Sequence, residues 1–171
     1  MDLDALNAAV AADFVAALSG IYEHSPWVAR AVVSGRPFSS VDALADAMAQ
    51  AVAGADDAAK MALICAHPQL AGRAAIAGEL TDASAQEQRG AGLDRCSPEE
   101  FARLNALNDA YQAKFGFPFI LAVKGHTRSS ILADIAARVH NDPLSERAEA
   151  LRQIDRIARL RLDALLAAGT A

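Results

Sequence analysis

The chain lacks the spacings from which the common catalytic centres are built. Its two cysteines, Cys65 and Cys96, stand far apart and form no CxxC pair. No HxxxH or HExxH spacing takes their place, so a structural zinc site or a zincin centre is not supported. There is no GxGxxG turn, no phosphate loop and no GxSxG elbow, which removes the usual nucleotide and serine-hydrolase sites. Aromatic residues make up only 5% of the 171 positions. No run of about 18 uncharged apolar residues occurs, so no membrane-spanning helix is expected. The start, Met1-Asp2-Leu3-Asp4, lacks the basic residues and apolar stretch of a signal peptide. The last residues, Ala168-Gly169-Thr170-Ala171, carry no peroxisomal tripeptide. A cytoplasmic protein is the expectation, and a disulfide is not. Cys65 is expected as a small buried hydrophobe and Cys96 as an incidental thiol. The net charge of −5 argues against binding a nucleic-acid backbone.

What is present is helix. The apolar content of 53% is carried largely by alanine, the best helix former. Leu6, Val10, Phe14 and Leu18 repeat every four residues and predict one helix over Leu3 to Ser19. Ser25-Pro26 predicts the start of a short helix through Val33. Ser40 caps a helix to about Val52, with Leu44, Met48 and Val52 on one face. A further helix runs from about Asp57 to Ala66, where Pro68 prevents smooth continuation. Residues 68–82 are expected to be irregular, with at most a short helix, and Ser84 to Ala91 to be helical. Ser97-Pro98-Glu99-Glu100 is a capping-box start for a helix to about Lys114. Thr127 to His140 and Pro143 to about Ala167 complete the set. Phe117 to Val123 is apolar and broken by proline, which predicts a buried extended segment. The length suits one domain. The expected fold is therefore all-α: a single-domain multi-helix bundle with one buried extended segment near residues 117–123.

The candidate functional residues are polar groups in unusual settings. Ser84, Glu87 and Gln88 stand at i, i+3 and i+4, so a helix brings them to one face. The other face holds Ala85, Arg89 and Gly90, with no strong apolar stripe to bury. Two readings stand: a solvated surface, or one wall of a pocket. His67, stiffened by Pro68, reads either as a helix-end residue bonding carbonyls or as a group titrating near neutral pH. Arg161 occupies an apolar slot in the series Leu151, Ile154, Ala158, Arg161, Leu165. It either snorkels to water or serves as an anion clamp. Asn105, Asn108 and Tyr111 share a helix and could bond the extended segment around Phe119.

An ordered set of these pieces resembles one family, the OHCU (2-oxo-4-hydroxy-4-carboxy-5-ureidoimidazoline) decarboxylases of urate degradation. The set comprises Tyr22-Glu23-His24-Ser25-Pro26-Trp27, Arg36-Pro37-Phe38, His67-Pro68-Gln69-Leu70, Ser84 through Leu93, Lys124-Gly125 and Ile154 to Leu162. Its longest and most specific member is Phe-x-x-Leu-Asn-x-x-Asn-x-x-Tyr-x-x-Lys-Phe-Gly-Phe-Pro-Phe over Phe101 to Phe119. The resemblance implies an all-α homodimer that decarboxylates OHCU to (S)-allantoin without metal or organic cofactor. It implies His67 and Glu87 as catalytic residues. It further implies Ser84, Gln88 and Arg161 as ligand-binding side chains, Pro68 as pocket lining, and main-chain groups of Phe119, Ile120, Leu121, Ala122 and Val123 as partners of the substrate amides. Two alternatives remain: a related cofactor-free decarboxylase or lyase acting on another ureido or imidazoline acid, or a helical binding module without catalysis.

Overall fold

Helix-forming segments give nine α-helices and no strand among the described residues, as an all-α fold requires. The computed structural model describes residues 1–167 apart from Arg73, Ala74 and Ile76. The expected irregular stretch over 68–82 therefore lies partly outside the described residues. No described helix is long and apolar enough to cross a membrane. The chain forms two compact units: Met1–Ala66 with the chain from Asp155 on, and His67–Ile154.

The first unit begins with α1 (Leu3–Ala8) and α2 (Ala11–Leu18), followed by α3 (Trp27–Val32), α4 (Val41–Gly54) and α5 (Asp57–Cys65). Side chains of Asp2, Ser40 and Asp56 cap α1, α4 and α5 by accepting a backbone N–H, which satisfies donors the helix cannot. Leu6, Phe14, Leu18, Leu44, Met48 and Val52 are buried. The single helix expected over Leu3 to Ser19 is divided, with Ala9 and Val10 extended. The cause is non-local. Arg36 Nη1 donates to the Ala9 carbonyl at 2.5 Å, and the Asn7 side chain bonds both backbone groups of Phe38, at 2.9 and 2.8 Å. These contacts turn the chain where local propensity would continue it, and Val10 leaves the apolar stripe for solvent at 66% exposure. Cys65 also departs from expectation. It is exposed, because α5 buries Leu63 and Ile64 instead.

The second unit contains α6 (Asp82–Gly90), α7 (Pro98–Phe115) and α8 (Arg128–Arg138); the last helix, α9 (Pro143–Ala167), begins in it. The Ser97–Glu100 capping box forms as expected, and α7 stops at Gly116, whose φ of 78° needs no Cβ penalty. The chain then runs extended, burying Phe117, Phe119, Ile120, Leu121 and Val123. The Tyr111 ring meets Phe117 and Phe119 edge-on, with centroids 5.9 and 5.3 Å away. Its hydroxyl donates to Glu146, a fully buried carboxylate that also accepts from Arg138 at 2.8 Å and Asn141 at 2.7 Å. Arg138 in turn donates to the Ile120 carbonyl at 2.8 Å, and Gln153 accepts the Ala122 N–H at 3.0 Å.

Candidate functional site

Helix α6 buries the wrong kind of residue for a structural helix. Its buried positions are Ser84 and Gln88, at 4% and 6% exposure, and Glu87 beside them is half-buried. Burying polar groups costs free energy unless each is hydrogen-bonded. The solvated-surface reading of this face is thereby removed. The helix is longer than expected at its start, because Thr81 accepts the Ser84 N–H and caps it.

His67 is buried at 7% exposure, just past the C-cap residue of α5, Ala66. The half-buried Pro68 follows. Within the second unit this segment is tied to α6 and α7. Gln88 Oε1 accepts the Ala71 N–H at 2.9 Å, and Asn108 Nδ2 donates to the Leu70 carbonyl at 3.0 Å. With Gln88 oxygen so engaged, its amide nitrogen is the end left to donate elsewhere. One helical turn beyond Asn108, Tyr111 packs on Phe119. Helix α7 thus joins the His67 loop to the extended segment. The bonds anticipated from Asn105, Asn108 and Tyr111 to that segment are not the ones formed. Asn105 bonds Phe101 in its own helix, Asn108 bonds Leu70, and Tyr111 packs its ring on Phe119 while its hydroxyl bonds Glu146.

Residues 119–123 are gripped at alternate positions. Arg138 holds the Ile120 carbonyl and Gln153 the Ala122 N–H. Sequence reasoning did not find Arg138 or Gln153. Both act across the fold on backbone atoms, which leaves no local motif.

Arg161 lies in the first unit. Its Nη1 donates to Glu23 Oε2 at 2.6 Å and to the Gly20 carbonyl at 3.3 Å. The Arg161 side chain is 8% exposed and that of Glu23 2%, which settles the snorkelling alternative against water. Leu151 and Leu165 of the proposed stripe are only half-buried, whereas Ile157 and Leu162 are buried. Nearby, the Tyr22 hydroxyl donates to Asp155 at 2.8 Å. Burial holds the Asp155 carboxyl above the usual carboxylate range, partly offset by that hydrogen bond. Burial, then the Asp155 charge, pushes the Tyr22 hydroxyl up.

A cavity of about 590 Å³ in the second unit is lined by Ala71, Leu80, Ala85, Gln88, Leu93 and Phe101, among others. It touches the Gln88–Ala71 pair from the side of α6 away from Glu87. Among the described residues, no three His, Cys, Asp or Glu side chains gather where they could hold a metal ion.

Comparison with known proteins agrees with the motif set. The model of the OHCU decarboxylase family matches residues 7–163. The chain is 41% identical over 165 residues to a 2-oxo-4-hydroxy-4-carboxy-5-ureidoimidazoline decarboxylase of Halalkalicoccus jeotgali, covering 96% of this chain and 92% of that one. It is 44% identical over 149 residues to the protein of the same name from Haloferax volcanii, covering 87% and 86%. The solved structure of an (S)-allantoin synthase superposes with a TM-score of 0.78 at 34% identity, over 97% of this chain. This chain spans 54% of that longer one. The chain belongs to the OHCU decarboxylase family.

Proposed function

We propose that this protein is a carboxy-lyase that converts OHCU to (S)-allantoin and CO2 in urate breakdown. The observation that carries the reaction is the family match across residues 7–163. That match runs through both compact units, which supports reading them as one OHCU decarboxylase-like domain. The buried polar face of α6 supports the placement of the site.

The substrate carries a hydroxyl and a carboxylate on one ring carbon, next to a C=N carbon. When the bond to the carboxylate breaks, CO2 leaves and the electron pair forms a double bond to the neighbouring carbon. The C=N electrons move onto the ring nitrogen, which takes a proton. Transfer of the hydroxyl proton and protonation of the neighbouring carbon on one face then give (S)-allantoin. Decarboxylation consumes one proton from solvent overall, and no electron acceptor is required. The substrate is its own electron sink, which is why a cofactor-free reaction is proposed.

His67 and Glu87 are assigned to orient the hydroxyl, take its proton and stabilise the charge that develops. Ser84 and Gln88 hold the ring and ureido groups, with Pro68 lining the pocket. The main-chain groups of Phe119 to Val123 bond the substrate amides. Arg161 is assigned to substrate binding on the family resemblance. On the same ground the protein is proposed to be a cytoplasmic homodimer, which light scattering on the purified protein would check. The activity is tested by following OHCU decay and the optical activity of the product. Accelerated decay with (S)-allantoin as product is the expected result. Unaccelerated decay combined with tight allantoin binding would mark a non-catalytic module.

A further inference from the structure

The Leu70 carbonyl and the Ala71 N–H are the two ends of one peptide group, and both ends are held by buried amide side chains from different helices. Asn108 of α7 donates to the carbonyl at 3.0 Å, and Gln88 of α6 accepts from the N–H at 2.9 Å. Asn108 is 2% exposed and Gln88 6%. A peptide plane gripped at both ends cannot rotate, so the backbone three and four residues after His67 has one orientation. That orientation is not intrinsic to the chain. Ala71 has a φ of 50°, in the left-handed region that a residue with a Cβ enters at a cost. Such a conformation persists where its surroundings over-determine it.

Asn108 is itself costly. Among the described residues its Oδ1 is buried and accepts no hydrogen bond, and an unsatisfied buried acceptor is unfavourable. An apolar residue would avoid that cost. What asparagine adds is the bond to Leu70. We infer that Asn108 is a positioning residue for His67: with Gln88 it fixes the Leu70–Ala71 peptide, and through that loop the place from which the imidazole acts. Gln88 then serves two tasks, its oxygen holding the loop and its nitrogen facing substrate.

The inference rests on the assignment of His67 as catalytic, so Asn108→Leu and His67→Ala are measured together. Asn108→Leu is nearly isosteric and cannot donate. It lowers kcat for OHCU roughly 10- to 100-fold while KM stays within about threefold, the pattern of a misplaced reacting group. The Ala71 amide, followed by NMR-detected hydrogen exchange, is protected in the wild type and exchanges faster in the variant. His67→Ala lowers kcat by about 10²- to 10⁴-fold. Wild-type kcat in folded Asn108→Leu, with His67→Ala slowed, overturns the inference, as does reduced stability with kcat and KM unchanged. Rapid Ala71 exchange in the folded wild type overturns it without any variant. Full activity of His67→Ala removes the catalytic assignment and the inference with it, and the exchange result then reports separately whether the clamp exists.

Discussion

Two side-chain-capped helices bury opposite kinds of residue. Helix α4 buries Leu44, Met48 and Val52, while α6 buries Ser84 and Gln88. The apolar face of α4 gains stability simply by leaving water. The polar face of α6 gains nothing that way and must find partners for each group. Where a helix gives up hydrophobic burial, each group it hides needs a hydrogen-bond partner, as Gln88 has in the Ala71 N–H. The contrast separates residues whose loss lowers stability from those whose loss lowers rate.

The largest expected effect is kinetic. His67→Ala and Glu87→Gln should each lower kcat by about 10²- to 10⁴-fold, the range for general acid–base groups, with unfolding midpoints near the wild type. Steady-state kinetics and denaturant unfolding on the same samples check this. Glu23→Ala should lower stability within the first unit. It strips the nearly buried Arg161 of its carboxylate partner, and removing one member of a buried pair costs about 3–5 kcal/mol. Urea titration would show it as a lowered midpoint. Leu44→Ala should cost about 2–5 kcal/mol by leaving a cavity, with kcat of the folded fraction unchanged. A rate loss in Leu44→Ala as large as in Glu87→Gln would break the contrast between the helices.

Asp155→Asn should have the smallest effect and a pH signature. Burial raises the folded carboxyl above its ordinary value, so the folded chain binds that proton more tightly than the unfolded one. The contribution to stability is then full at pH below the ordinary Asp value and falls as pH rises through the raised one. Asparagine still accepts from Tyr22 but cannot ionise. The stability of Asp155→Asn relative to wild type should therefore increase with pH from about 4 upward and level off. A difference independent of pH would contradict the reading of this pair.

Much of this was legible from local signals. The Ser97–Glu100 box, the Ser40 cap, the Leu44–Met48–Val52 face and the extended run after Gly116 are short-range features that the structure repeats. The misses are long-range. No residue between Leu3 and Ser19 announces the break at Ala9, because Arg36 and Phe38 impose it. The spacing of Ser84, Glu87 and Gln88 does not mark Thr81, whose side chain starts α6 two residues earlier. The misreading of Cys65 shows that cysteine's usual burial says little about a given helix face. At the candidate site, residue identity exposed the face of α6 but not its tether. The Gln88–Ala71 and Asn108–Leu70 bonds join residues 17 and 38 positions apart, and no spacing rule encodes them.

The central claim is that the buried polar face of α6 holds the ligand. Calorimetric titration with (S)-allantoin tests it directly, comparing wild type, Ser84→Ala and Leu44→Ala at a temperature where all three are folded. The account predicts binding weakened roughly tenfold in Ser84→Ala, the loss of about one hydrogen bond, and wild-type affinity in Leu44→Ala. Wild-type affinity in Ser84→Ala, with weakened binding in Leu44→Ala, would contradict it.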